Sequence, residues 1–184
     1  MFSYQRRLFY PVHVEQADPK FGNILMEHYG GKDSEFSATT QYLNHCSNMP
    51  NPYVRDLLGL IAAEELGHME MIAVAINKLG GPPPSFVNSK GVAWSVNYVN
   101  QSNNVIDMLR ADEDAEIRAK ILYSYHMTLT NDPCMKKMIQ FLSGREDVHQ
   151  RLFAKAGVLI AQGGSNEQFS ALIHEYKMSL RIME

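Results

Sequence analysis

Cysteine is scarce in this chain, because only Cys46 and Cys134 occur among 184 residues and they form no Cys-x-x-Cys motif. Two cysteines cannot build the disulfide framework of a small secreted domain, and they supply too few thiolates for a zinc-ribbon or iron–sulfur site. We therefore expect two free thiols. The length suits a single domain that an apolar core can stabilise without such help.

Long apolar runs and a strong charge bias are also missing. The most apolar segment is interrupted by Glu64, Glu65, His68 and Glu70, so it falls short of the roughly 18 residues that a membrane-spanning helix needs. The N-terminal segment lacks the apolar core of a secretory signal. A net charge of −3 and a pI near 6.2 leave no basic footprint for nucleic acid or an anionic membrane. We expect a cytoplasmic protein that binds neither nucleic acid nor membrane.

The chain does contain an internal repeat of acidic residues and histidines. Each half carries a lone glutamate and, 30 residues later, a Glu-x-x-His pair: Glu35, Glu65 and His68 in the first half, and Glu116, Glu146 and His149 in the second. The second set is the first displaced by 81 positions, and the same displacement relates Tyr42 to Tyr123 and Pro52 to Pro133. One Glu-x-x-His pair arises easily by chance, whereas two with the same upstream glutamate do not.

Each half has the pattern of a helical hairpin. Apolar residues recur at spacings of three and four on both sides of proline turns at 50–52 and 131–133, almost midway between the lone glutamate and the Glu-x-x-His pair. Antiparallel helices would therefore bring the three side chains of each half to one level. We expect an all-α four-helix bundle in one domain, residues 1–184. Its predicted parts are an extended N-terminal arm (1–18), a first hairpin (20–79), a long crossover (81–103), a second hairpin (104–162) and a C-terminal helix (166–181).

Four glutamates that face one another in an apolar core carry about four negative charges, and burying each ion costs several kcal/mol. Two divalent cations would supply the balancing charge, with the imidazoles as neutral ligands. No basic residue shares the inner faces at helical spacing, so metal is a better counter-charge than an ion pair. This ligand set is the established pattern of ferritin-like di-iron and di-manganese carboxylate proteins. Its oxygen and nitrogen donors suit manganese or iron, and the sequence does not separate the two.

The expected metal ligands are Glu35, Glu65, His68, Glu116 and His149. Glu146 either binds a metal as well or lies beside the pair as an acid–base group. Tyr42 and Tyr123 are either core aromatics or hydrogen-bond donors to the ligand carboxylates. Either Asp112 or Glu113 shares the inner face of the third helix with Glu116, and Asp112 is a further candidate for a supporting role beside the metals. The remaining histidines are expected at the surface or in satisfied core positions.

Five stretches of the chain resemble the manganese catalase family, and most closely its short spore-coat branch of CotJC-type proteins. They are GGKDSEFSATTQYLNHCSNMP, AAEELGHMEMIAVAINKLG, GVAWSVNYV, DAEIRAKILYSY and FLSGREDVHQRLF. The resemblance implies a ferritin-like bundle with a dinuclear manganese centre that converts hydrogen peroxide to water and oxygen. It also implies that the two lone glutamates, the first Glu-x-x-His pair and His149 bind the metals, while Glu146 moves protons from outside the metal shell.

The favoured interpretation is therefore a manganese catalase with two manganese ions per chain, iron being the alternative metal, and hydrogen peroxide as substrate. Two other functions stay open. One is a structural protein of the spore coat, with other coat proteins as partners, whose metal pair mainly holds the bundle together. The other is a di-iron peroxidase or ferroxidase. We also expect a homo-oligomer, because the N-terminal arm and the C-terminal helix carry apolar residues that a neighbouring subunit could cover and because the resembling family assembles.

Overall fold

Seven α-helices account for most of residues 8–181, the part of the chain that the computed structural model describes. They are α1 (Pro19–Ile24), α2 (Met26–Gly30), α3 (Glu35–Asn48), α4 (Pro52–Leu79), α5 (Val105–Met127), α6 (Pro133–Gln162) and α7 (Asn166–Arg181). The crossover between α4 and α5 holds one turn of 3₁₀-helix, Val96–Tyr98, and one isolated bridge between Val87 and Ala93. The all-α architecture expected from the sequence is confirmed. None of the described helices is long and apolar enough to cross a membrane.

The two long hairpins, α3 with α4 and α5 with α6, begin their second helices with the same chemistry. The side chain of Asn51 accepts hydrogen bonds from the first backbone amides of α4, and Asp132 does the same for α6. A proline follows each cap, where its fixed φ suits the first turn and its missing N–H is not needed. The proline turns predicted from the sequence are therefore helix starts.

The bundle has a polar layer between two apolar clusters. On α4, Leu58 and Ile61 belong to one cluster and Ile72 to the other, with Glu65 and His68 between them. Helix α6 runs the opposite way and repeats this order in reverse. The antiparallel hairpins thus bring the acidic residues and histidines to one level, as the repeat predicts.

Helix α7 packs against both α4 and α6 and closes one side of the bundle. It buries Phe169, Leu172 and Tyr176 against the first apolar cluster. The crossover is tied to α3, because the indole Nε1 of Trp94 donates a hydrogen bond to Ser37 Oγ at 2.9 Å.

Residues 8–18 form neither helix nor strand, in line with the predicted extended arm, whereas residues 1–7 lie outside the described part. The described arm packs on its own bundle instead of reaching away from it. Val12 is buried in the second apolar cluster, Tyr10 stacks on Phe141, and Lys78 Nζ donates to the Val12 carbonyl at 2.8 Å. The arm therefore covers the subunit that carries it.

Candidate metal centre

Six side chains from four helices meet in the polar layer. Glu35 lies on the first turn of α3, and the other five come from the middle of α4, α5 and α6: Glu65 and His68, Glu116, and Glu146 and His149. All six are buried, with at most 4% of the residue exposed. Every metal ligand predicted from the sequence is therefore present in one cluster.

The cluster divides into two overlapping groups of donor atoms. Glu35, Glu65, His68 and Glu146 each offer one oxygen or nitrogen atom, and these atoms lie within 4.8 Å of one another. The same limit holds for Glu65, Glu116, Glu146 and His149. Because Glu65 and Glu146 belong to both groups, the arrangement suits two neighbouring cations that share two carboxylates. Each group has three carboxylates and one imidazole, a donor set suited to manganese or iron.

The two imidazoles present the same nitrogen to the carboxylates. His68 Nδ1 lies 2.7 Å from Glu65 Oε2 and 3.3 Å from Glu146 Oε1. His149 Nδ1 lies 2.8 Å from Glu65 Oε1, yet neither of these two atoms has a hydrogen-bond partner among the described residues. Close, buried donor and acceptor atoms without hydrogen-bond geometry fit ligands of one cation better than a directly bonded pair.

Each tyrosine of the repeat holds the lone glutamate of the other hairpin. Tyr42 Oη donates to Glu116 Oε1 at 2.6 Å, and Tyr123 Oη donates to Glu35 Oε1. Both rings are fully buried. The two alternatives left open by the sequence are therefore compatible, since these residues are core aromatics that also donate to predicted ligands.

Asp112 lies one helical turn before Glu116 on α5 and bonds to α3. Its Oδ1 is 2.8 Å from His45 Nδ1 and accepts a hydrogen bond from Gln41 Nε2 at 2.9 Å. Gln41 Oε1 in turn accepts from the backbone amide of Asn100 in the crossover. Asp112 thus joins α3 and α5 beside the cluster and, through Gln41, the crossover.

Sequence reasoning missed a buried ion pair next to the cluster. Arg145 is only 4% exposed, and its Nε and Nη2 donate to the two oxygens of buried Glu64 at 2.5 and 3.1 Å. The expectation concerned only basic residues at helical spacing on the inner faces, and Arg145 lies one position before Glu146, outside that spacing. A signal was present, because Glu64 and Arg145 are related by the 81-residue displacement and each precedes a Glu-x-x-His pair.

Burial and the interactions between neighbouring charges raise the pKa values of some groups in the cluster and lower those of others. Burial, reinforced by the charge of Glu146, raises the pKa of Glu35 and of Glu116 well above the usual range. Burial alone would raise the pKa of Glu146 too, but hydrogen bonds with Glu116 and both imidazoles lower it. For His68 and His149, burial lowers the pKa, but the surrounding carboxylates raise it by more. The net result is a pKa well above the ordinary histidine value. Without metal, the cluster therefore binds protons, and these protons supply the positive charge that bound cations would otherwise provide.

A narrow cavity of about 20 Å³ lies between α3 and α5 and touches the cluster. Its inner wall includes Glu35, Glu116 and Glu146. Its outer wall includes Asp33 and Arg118, whose Nε donates to Asp33 Oδ1 at 2.7 Å. A space of this size holds about one water molecule, so only very small solutes fit beside the cluster without rearrangement.

The chain is similar to proteins of one family. The family described as "Manganese containing catalase" matches residues 1–85 and 80–169. A probable manganese catalase of Clostridium acetobutylicum is 31% identical over 92% of this chain and 85% of its own length. Protein CotJC of Bacillus subtilis is 31% identical over 85% of this chain and 93% of its own length.

Solved structures agree with these matches. Wild-type KatB, a manganese catalase from Anabaena, matches with a TM-score of 0.83 at 30% identity, covering 89% of this chain and 81% of KatB. A mycobacterial bacterioferritin matches with a TM-score of 0.68 at 19% identity, which shows the ferritin-like fold alone.

Proposed function

The chain belongs to the manganese catalase family, and from this premise we propose that it disproportionates hydrogen peroxide to water and oxygen at a pair of manganese ions. The observation that carries the proposal is the pair of overlapping donor groups in the polar layer, which share Glu65 and Glu146. Four buried carboxylates need about four positive charges, and two divalent cations supply them. One cation would leave the cluster anionic.

The two cations would take different ligands from the two hairpins. Glu35 and His68 would hold one, Glu116 and His149 the other, and Glu65 would lie between them. Bound manganese would supply the electron transfer, since the side chains of the cluster have no redox chemistry of their own. Tyr42 and Tyr123 would keep the lone glutamates oriented through their hydrogen bonds.

Glu146 is the residue that we propose as the acid–base group. Its carboxylate reaches both donor groups and also lines the cavity. The hydrogen bonds with Glu116 and both imidazoles keep this carboxylate ionised in the metal-free protein, and an ionised carboxylate has an oxygen that can accept a proton from peroxide. It would return that proton to the oxygen that leaves as water.

Hydrogen peroxide is the substrate that the cavity suits. The space beside the cluster, about 20 Å³, fits a molecule close to water in size. Bulky peroxides would need the walls around Asp33 and Arg118 to move. We therefore propose selectivity for hydrogen peroxide over organic peroxides.

The test is metal analysis of protein produced with manganese and iron both available, followed by measurement of oxygen release from hydrogen peroxide. We expect two ions per chain, manganese preferred, and steady oxygen release. Glu35→Ala and Glu116→Ala should each lower metal content, because each removes a ligand. At most one ion per well-loaded chain would contradict the dinuclear site, and iron with no oxygen release would favour a di-iron peroxidase or ferroxidase.

The likeness to protein CotJC, most of whose length the chain covers, favours a second candidate function. In that case the chain is a structural protein of the spore coat, and its metal pair stabilises the bundle. Fully loaded protein that releases no oxygen but loses thermal stability on metal removal would favour this alternative. Under both proposals we expect the chain to form a homo-oligomer. For the catalase, we also predict a cytoplasmic location.

A further inference from the structure

We infer that Glu64 and Arg145 form a positioning pair that orients the imidazole of His149, faces that of His68 and couples the metal centre to the C-terminal helix α7. The inference rests on the proposed ligation by His68 and His149. It concerns residues that lie outside the two donor groups.

One carboxylate faces both rings. Glu64 Oε2 lies 3.1 Å from His149 Nε2, and Glu64 Oε1 lies 3.5 Å from His68 Nε2. Both imidazoles turn Nδ1 toward the donor groups, so Nε2 is the nitrogen that must carry the proton when Nδ1 binds a cation. A carboxylate at Nε2 selects that tautomer, fixes the plane of the ring and makes the ligand more basic. Glu64 makes this hydrogen bond to His149, and its other oxygen lies beside His68 Nε2, a buried atom with no hydrogen-bond partner among the described residues.

Arg145 makes it possible for Glu64 to stay ionised inside the protein. Its guanidinium grips both carboxylate oxygens, and both side chains are almost completely buried. A buried carboxylate without a counter-charge is strongly destabilising, and its proton uptake would remove the acceptor that the imidazoles need. Two divalent cations balance the four carboxylates of the donor groups, and Arg145 balances this fifth one. The pair therefore leaves the charge of the metal centre unchanged.

Helix α7 completes the arrangement by holding the other side of the guanidinium. Arg145 Nη1 and Nη2 each lie 3.2 Å from Ser179 Oγ, and Nη1 also donates to the Ser179 carbonyl at 3.3 Å. One turn earlier, Tyr176 Oη donates to the Leu60 carbonyl on α4. The hydrogen bonds run from α7 through Arg145 and Glu64 to His149, and Glu64 Oε1 also lies 3.5 Å from His68 Nε2. Most of α7 lies beyond residue 169, where the match to the family ends.

The internal repeat explains why this pair exists. Glu64 and Arg145 occupy equivalent positions, each directly before the glutamate of a Glu-x-x-His pair. Equivalent positions on α4 and α6 meet across the bundle, so two identical acidic or basic residues would repel one another there. Because one position holds Glu64 and the other Arg145, the two side chains form an ion pair instead.

The first test is manganese affinity by competition with a chelator, measured on the full chain. Glu64→Gln keeps the shape of the side chain but removes its charge, and we expect manganese to bind about 10- to 100-fold more weakly. Arg145→Gln should weaken binding as much or more, and Arg145→Lys should restore part of the loss because it returns the positive charge without the two-pronged contact. The double variant Glu64→Gln/Arg145→Gln should bind manganese at least as tightly as whichever single variant binds it more weakly, since the two residues act as a unit.

The link to α7 is tested by Ser179→Ala, with Ser170→Ala on the exposed face of the same helix as its control. We expect a several-fold loss of affinity for the first and none for the second. Thermal unfolding of each metal-free variant separates positioning from stability, because a purely structural pair would lower stability and leave affinity unchanged. A parent protein that binds two ions while Glu64→Gln binds them equally tightly overturns the inference and leaves the proposed function standing. A parent protein that binds no metal overturns both.

Discussion

At the scale of single residues, Glu146 separates two interpretations of the site. By internal symmetry it is the counterpart of Glu65 and should bind metal, whereas the family resemblance makes it a proton carrier. The geometry places it in both donor groups, as it does Glu65. Glu146→Gln keeps the size of the side chain but cannot accept a proton. If the proton role holds, we expect both metals to stay bound and peroxide turnover to fall by about 10²- to 10⁴-fold.

The matched control is Glu65→Gln at the equivalent position of the repeat. This variant should lose metal as well as turnover, because Glu65 is shared by both groups and has no separate proton role. Metal content is measured by elemental analysis and turnover by oxygen release. Equal loss of metal in both variants would support the symmetric interpretation, and full oxygen release from Glu146→Gln would refute both roles.

The shifted pKa values predict how the metal-free protein responds to pH. The pKa values of His68, His149, Glu35 and Glu116 are all raised in the folded protein. Such groups stabilise the fold below their unfolded pKa, and this stability is lost as pH rises through their folded pKa. Glu65 and Glu146 have lowered pKa values, so their contribution is lost only in acid. The metal-free protein should therefore unfold at progressively lower temperature as the pH rises above about 6.5, the ordinary pKa of histidine.

Bound manganese should remove this dependence. A ligand that carries a proton in the metal-free protein must give it up to bind, so loading should release protons. Calorimetric unfolding curves of loaded and metal-free protein, with proton release followed by a pH indicator dye, test both statements. Unfolding temperatures of the metal-free protein that stay level or rise over this pH range would contradict the assignment of the raised pKa values.

The five predicted ligands and Glu146 could be found from the sequence, because both the helical periodicity and the internal repeat mark their positions. Glu64 and Arg145 could not be found in the same way. They precede the inward-facing glutamates by one residue, about 100° around the helix, which points them between helices instead of at the bundle axis. Their burial depends on α7, which covers that side through Ser179. The periodicity of α4 or α6 does not reveal where α7 packs against them.

At the scale of secondary structure elements, the helix ends were largely readable from turn chemistry. The proline turns begin α4 and α6, and these helices end at Leu79 and Gln162, the predicted ends of the two hairpins. Gly80 and Gly163 end these helices in the left-handed conformation, with φ of 74° and 65°. The packing of the arm was not readable, because Val12 and Tyr10 find their partners on helices far along the chain.

Two glycines should respond to the same substitution in opposite directions. Gly80→Ala forces a side chain into a positive-φ position and should destabilise the protein by about 1 kcal/mol. Gly144→Ala should stabilise it by about 0.5–1 kcal/mol, because this glycine lies inside α6 with open space around it. Urea unfolding measures both. Neither residue touches the donor groups, so manganese content should stay that of the parent, and a Gly80→Ala protein as stable as the parent would contradict the first expectation.

At the scale of the whole molecule, we predict a homo-oligomer. Ile121 and Tyr125 lie one turn apart on the outer face of α5 and are among the most exposed large apolar side chains, at 65% and 59%. Burying such a pair against another subunit would stabilise an assembly. Light scattering at micromolar concentration should give a multiple of 20.9 kDa. Ile121→Glu/Tyr125→Glu should lower that mass, whereas Val158→Glu on α6 should not.

A monomeric parent protein at that concentration would contradict the prediction. An oligomer that survives Ile121→Glu/Tyr125→Glu would place the interface on another face. The described arm does not decide the matter, because Val12 packs on its own subunit.

The opposite charges of Glu64 and Arg145 make the two hairpins complementary and not interchangeable. If the chain were cut in the crossover at exposed Gly91, each fragment would contain one long helical hairpin and one member of the pair. Two copies of the first half would bring two carboxylates together, and two copies of the second would bring two guanidinium groups together. Only the mixed assembly is neutral at that point. The two halves of the chain thus behave like the subunits of a heterodimer that are joined by a covalent linker. After cleavage, each fragment would bind the other fragment in preference to a second copy of itself.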